Sequence, residues 1–173
     1  VPESNDDTNP VYLDNNGVTI KAKDWSVIGD SGVINGVTYT IVSSETLYNM
    51  VDAGADLTSV CTSKVTSMEN MFYGASSFNQ PISGWDVSNV TSMSNMFYGA
   101  SSFNQPLNNW DVSNSSYVDN MFQESSSFNQ PLNNWDTSNF THLQNMFEGA
   151  ALFNQDLSSW SVLNVSACAD FCL

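Results

Sequence analysis

Carboxylates recur in this chain at one fixed spacing. Asp86, Asp111 and Asp136 stand 25 residues apart, each directly after a tryptophan and two residues before Ser88, Ser113 or Ser138. If successive units lie side by side, such residues fall in a row, and strands about 4.8 Å apart bring the like charges close enough to disfavour one another. Three arrangements answer that repulsion: backbone amides of the following turn, a cation such as Ca²⁺, or an external ligand. A ligand would meet Asp86, Asp111 and Asp136 flanked by Asn109, Asn134, Ser88, Ser113 and Ser138.

Catalytic chemistry has less to build on. The chain has one histidine, His142, beside Thr141, where the other units carry Ser67, Ser92 and Tyr117. A surface role fits it better than an acid–base one, and neither a nucleophile motif nor a phosphate loop is present. No enzyme is expected. Cys61 lies far along the chain from Cys168 and Cys172, too distant in a stacked array for a bridge. Cys168 and Cys172, in the run CADFC, either pair or remain two thiols in a terminal cap, and three cysteines suggest no metal site. Four sequons, beginning at Asn89, Asn114, Asn139 and Asn164, read as a turn residue followed by a capping hydroxyl. A eukaryotic secretory host could still glycosylate them.

The charge narrows the partners. The 173 residues carry 18 acids against Lys21, Lys23 and Lys64, a net charge of −15, and no Lys or Arg follows Lys64. Phosphate backbones and anionic bilayers are repelled by such a chain, so nucleic acid is excluded as a partner. No apolar run is long enough to suggest a membrane span. Residues 1–10 read as a flexible leader.

The elements that must position these residues are repeats. Met-Phe stands at Met71, Met96, Met121 and Met146, Phe-Asn-Gln begins at Phe78, Phe103, Phe128 and Phe153, and tryptophan follows at Trp85, Trp110, Trp135 and Trp160. Four copies in register over 65–165 predict a solenoid, with 43–64 as a degenerate first unit and 166–173 as a C-terminal cap. Before them, 11–42 alternates in the β manner: VYL, VTIKA, WSVI and VTYTIV are strand-like runs that form an N-terminal β cap. Ser43 or Ser44 can cap a helix through about Val51 with Glu45 in its first turn.

Within each unit, Thr66, Thr91, Ser116 and Thr141 precede apolar residues at helical spacing, and Gly74, Gly99 and Gly149 fall where a short helix ends. The following L-x-x-W-x-V has the spacing of a leucine-rich-repeat strand. The expected fold is therefore an α/β, leucine-rich-repeat-like solenoid of 25-residue helix–strand units with stacked Trp, Phe and Met columns as core. Asn79, Asn104, Asn129 and Asn154, each followed by Gln, predict polar columns, read either as amides bonded to the neighbouring turn or as a hydrogen-bonding face for sugars.

The string VTSMSNMFYGASSFNQPLNNWDVSN resembles the repeat of the bacterial surface protein 26-residue repeat family, the BspA-like leucine-rich repeat surface proteins, over about Asp56 to Ser166. The resemblance implies a secreted or surface-anchored protein acting in adhesion or protein recognition. The chain departs from it at Ser115-Ser116-Tyr117 and Glu124-Ser125, which predicts local irregularity in the third unit. The function expected is recognition of a host or neighbouring-cell surface protein or glycan through the polar strand face, by a monomeric module of a larger chain. The alternative is a structural spacer or stalk with no ligand of its own.

Overall fold

A computed structural model describes residues 8–171; most of the 1–10 leader, and Cys172 of the considered Cys168–Cys172 pair, lie outside the described residues. Two short hairpins open the fold. Strand β1 (Val11–Leu13) pairs antiparallel with β2 (Ile20–Ala22), and β3 (Ser31–Ile34) with β4 (Val37–Ile41). The second turns through Asn35 and Gly36, both at positive φ (50° and 81°), the geometry that a two-residue hairpin needs. The WSVI run forms no strand: Trp25, Val27 and Ile28 stand more than half exposed in the loop before β3. Helix α1 (Ser44–Asp52) follows, its first turn closed by the Ser43 hydroxyl accepting from the Thr46 N–H, with Glu45 at its positive end. Strand β5 (Val60–Cys61) then pairs parallel with β4 and ties the hairpins to the repeats.

From residue 62 onward the chain does not build the predicted α/β solenoid of helix–strand units. Among the described residues α1 is the only helix, and the repeats are made of turns and isolated bridges. The two halves of the unit behave opposite to expectation. Where the apolar spacing predicts a helix, parallel bridges run Ser67 to Ser92, Tyr117, His142 and Ala167. The N–H groups of Met68, Asn70, Phe72 and Gly74 donate to the carbonyls of Ser92, Ser94, Met96 and Tyr98 in the next unit, while those of Met71, Tyr73 and Ala75 close turns inside their own. Asn70, Asn95, Asn120 and Asn145 sit at φ of 52–60°, so helical winding stops at each of them. Where a strand is predicted, L-x-x-W and V-x-x-V close turns instead, as in Trp110 N–H to Leu107 O (3.0 Å) and Val90 N–H to Val87 O (2.9 Å). The apolar positions 68, 71, 72 and 75 suit a chain of three-residue turns as well as a helix, and only the destination of alternate N–H groups separates the two.

Side chains nevertheless fall in columns. Phe72, Phe97, Phe122 and Phe147 follow one another at centroid distances of 5.4–5.6 Å with nearly parallel rings. Phe78, Phe103, Phe128 and Phe153 do so at 5.7–6.0 Å. Trp85, Trp110 and Trp135 are each 3% exposed, and every indole N–H reaches a carbonyl 28 residues earlier, Leu57, Ile82 or Leu107. An indole so buried contributes about 4 to 6 kcal/mol before entropy is subtracted. The predicted amide columns form too: Asn79 Oδ1 accepts from the Asn104 N–H and the Gln105 side chain, and Asn104 and Asn129 repeat this one and two units on.

The third unit is not irregular. It keeps the turn pattern of its neighbours. The Ser115 hydroxyl donates to Val90 O (2.8 Å) and that of Ser125 to Phe97 O (2.5 Å), so both buried hydroxyls are satisfied.

Candidate functional site

The Asp row divides on contact with the N-terminal strands. Asp86 is buried, 5% exposed, and accepts from the Ser63 hydroxyl (2.5 Å) and from the Ser88 N–H and hydroxyl (3.1 and 2.6 Å). Ser63 in turn accepts from the Ala22 N–H at the end of β2 (2.9 Å), so Asp86 fastens the first unit to the hairpins. Partial burial works against the Lys21 ammonium, yet its bond to Asp14 and the field of Asp86 hold its pKa above the ordinary value. Gly84, in the column of Asn109 and Asn134, leaves room for this junction: its carbonyl accepts the Ile20 N–H, and a Cβ there would come within 3.2 Å of Val18 O.

Asp111 and Asp136 are exposed. Oδ1 of Asp111 accepts from the N–H (3.2 Å) and hydroxyl (2.6 Å) of Ser113, and Oδ1 of Asp136 from the Ser138 N–H (3.0 Å). The Ser138 donors hold the Asp136 carboxyl below the usual carboxylate range. The same Asp-x-Ser/Thr turn recurs at Asp56 with Thr58 and at Asp156 with Ser158, and lowers both carboxyls too. The turn amides therefore answer part of the like-charge problem. Asn109 and Asn134 are exposed in one column, and the Asn134 N–H donates to Asn108 Oδ1 (2.9 Å). The structure thus brings together Asp111, Asp136, Asn109, Asn134, Ser113 and Ser138 on the surface and withdraws Asp86 with Ser88 to the junction. Among the described residues no group of three or more His, Cys, Asp or Glu is placed to hold a metal ion.

The sequon asparagines are structural as well as exposed. The side-chain amides of Asn89, Asn114, Asn139 and Asn164 donate to the carbonyls of Ser63, Ser88, Ser113 and Ser138, each 26 residues earlier. His142 Nδ1 shares a hydrogen bond with the Thr141 hydroxyl (2.9 Å), and its ring lies 5.0 Å from Tyr117. A cleft of about 270 Å³ opens where the hairpins meet the first unit, lined by Ile20, Tyr39, Val60, Ser83, Gly84 and Trp85 among others, and no carboxylate, imidazole, thiol or amine lines it.

One surface escaped the reading of the sequence because the segment beneath it was taken for a helix. The bridged segments bury Met68, Met71 and Phe72 and their successors. The residues between face outward: Ser67, Glu69, Asn70 and Tyr73 in the first full unit, and Tyr117, Asp119, Asn120 and Gln123 two units on. Tyr73 and Tyr98 stack at 4.6 Å on this face. The signal lay in the positions between the buried Met and Phe columns.

Bridges between like positions of successive units, with aromatic columns beneath, define a tandem-repeat protein whose units are bonded side by side. The chain belongs to the family described as "Mycoplasma protein of unknown function, DUF285", whose model matches residues 43–160 and again 118–171. The second match begins three repeat periods after the first. No curated protein and no solved structure matches the chain.

Proposed function

We propose that this chain is a non-enzymatic recognition module of BspA-like type, secreted or displayed at a cell surface, that binds a protein or glycan. The observation that carries the reading is the pair Asp111 and Asp136. Both are exposed, lie one unit apart, and are held by their own turn through a single carboxylate oxygen. Carboxylates fixed in this way lose little side-chain freedom on binding, which favours their use as contacts. The likeness of the M-F-x-x-A-x-x-F-N-Q signature to the BspA-like surface repeats supports the surface setting. The net charge of −15 keeps anionic partners away and leaves neutral or cationic ones.

A panel of surface glycans and surface proteins tests the reading, with the wild type beside Asp111→Asn with Asp136→Asn. Asp86 is left intact because it fastens the fold. The expected outcome is a ligand whose affinity falls roughly tenfold in the double variant, in line with the loss of one or two charge-assisted hydrogen bonds. Binding that the double variant retains in full removes these carboxylates as the site. A spacer without a ligand is the second reading, favoured by how many polar groups of the row already bond to neighbouring units, as the Ser113 carbonyl does to Asn139. It predicts no binding anywhere in the panel.

A further inference from the structure

We propose that the outer face of the bridged segments, presenting Tyr73, Tyr98 and Tyr117 among Glu69, Asp119 and Glu148, docks an arginine-rich extended segment of a partner protein. The face is distinct from the Asp111–Asp136 row.

Two independent features fix the chemistry of that partner. The first is exposed aromatic surface. Tyr73 is 57% exposed and Tyr117 48%, in a chain that buries most of its other rings. Tyr73 is stacked on Tyr98 at 4.6 Å and 10°, and Tyr117 lies 5.0 Å from His142, so the rings are held in place before any partner arrives. The second is charge of one sign. Glu69, Asp119 and Glu148 project from the same segments, and no Lys or Arg follows Lys64 to neutralise them.

The acids are also spaced for use. In their columns Glu69 is followed by Ser94, Asp119 and Gln144, and Tyr73 by Tyr98, Gln123 and Glu148, so no two acids adjoin within a column. Like charges stacked on one another would repel, and this order avoids it. Two of the acids are steadied from the neighbouring unit: Asp119 Oδ1 accepts from the Gln144 N–H (3.0 Å), and Glu148 from the Gln123 side-chain amide.

Tyrosine faces among carboxylates suit a planar cation. A guanidinium stacks on an aromatic face and bonds a carboxylate through two parallel N–H groups, which an ammonium cannot match. An apolar helix would bury the acids unpaired, and an anionic or neutral sugar would leave their charge unanswered. Successive units repeat the face along the array, which matches an extended segment better than a single residue.

The test measures binding of fluorescent oligo-arginine and oligo-lysine peptides to the whole protein at physiological ionic strength. Oligo-arginine is expected to bind more tightly than oligo-lysine. Tyr73→Ala with Tyr98→Ala should weaken oligo-arginine roughly fivefold or more, and Glu69→Gln, Asp119→Asn and Glu148→Gln together should weaken it at least as much. Neutralising Asp24, in the loop before β3, with Asp56 and Asp156, in the Asp-x-Ser/Thr turns outside the bridged segments, is the control and should leave affinity within about twofold, the effect of net charge alone. Melting temperatures of all variants exclude a folding defect as the cause. Equal binding of the two peptides, indifference to the tyrosine changes, or an equal loss in the control each overturns the proposal. None of these outcomes bears on the Asp111–Asp136 row, which every variant keeps.

Discussion

Glu124 holds a left-handed backbone, φ 59°, at the position that Gly74, Gly99 and Gly149 occupy in the other units at φ 66–70°. A side chain in that conformation costs about 1 kcal/mol against glycine. The turn is retained because the Glu124 N–H still donates to Glu148 O (2.8 Å) and its carboxylate lies over Gly149. Glu124→Gly is therefore expected to stabilise the protein by about 1 kcal/mol, less whatever the freer unfolded chain takes back, and to raise Tm by about 3 °C. Gly149→Ala should act in the opposite direction, since its φ of 70° is a left-handed backbone in which a side chain is strained, and the Glu124 carboxylate would also have to swing aside. Thermal melts of the two variants check both signs; a lower Tm for Glu124→Gly would mean the carboxylate's contacts outweigh the backbone strain. The special backbone of these positions was legible, because glycine recurred at them. That Asn70, Asn95, Asn120 and Asn145 share it was not, because asparagine serves turns, caps and amide ladders alike.

At the scale of the element, those asparagines decide what the repeat becomes. Met, Met-Phe and Ala at helical spacing make a helix the natural expectation, and the same residues do form the buried side of the segment. The difference lies in the backbone, where every second N–H leaves its own unit for the next. No pattern of side chains announces that choice, which depends on a neighbour being present. The strand expectation for L-x-x-W-x-V failed for the related reason that turns place Leu, Trp and Val inward at that spacing as well as a strand does. Asn120 tests this account, since its side-chain amide donates to Asn95 Oδ1 (2.9 Å) and its Oδ1 accepts from Asn145 (3.0 Å). Asn120→Gly keeps the left-handed backbone and loses the two bonds, whereas Asn120→Ala loses both features. Denaturant unfolding is expected to show losses of about 1 to 2 kcal/mol for the glycine variant and about 1 kcal/mol more for alanine. Equal losses would mean that the left-handed turn is not what interrupts the helix.

Across the whole molecule, the hairpins and the repeats meet at a few buried groups: β4 paired with β5, Ile20 N–H on Gly84 O, and Ser63 between Ala22 and Asp86. The need for something to cover the first unit's apolar end could be read from the sequence, but these bonds could not, because they join residues that no repeat relates. Cys61 sits among them, fully buried, its thiol 3.6 Å from both Ile20 O and the Ser63 hydroxyl. Burial raises its pKa, against the Ser63 bonds that pull it down. A folded-state pKa above the unfolded value of about 8.5 means that the protonated thiol stabilises the fold below that pH, and that this contribution fades as pH rises through the folded value. Thiolate is the reactive form, so Cys61 has to be released from the junction before it can be alkylated. Site-resolved mass spectrometry after brief alkylation at mildly alkaline pH should find the exposed Cys168 modified and Cys61 untouched. If hairpins and repeats open as one body, Cys61 labelling will increase with denaturant along the same slope as global unfolding. A shallower slope would mean that the hairpins lift off while the repeats stay folded, and labelling as fast as at Cys168 would place Cys61 outside the core altogether.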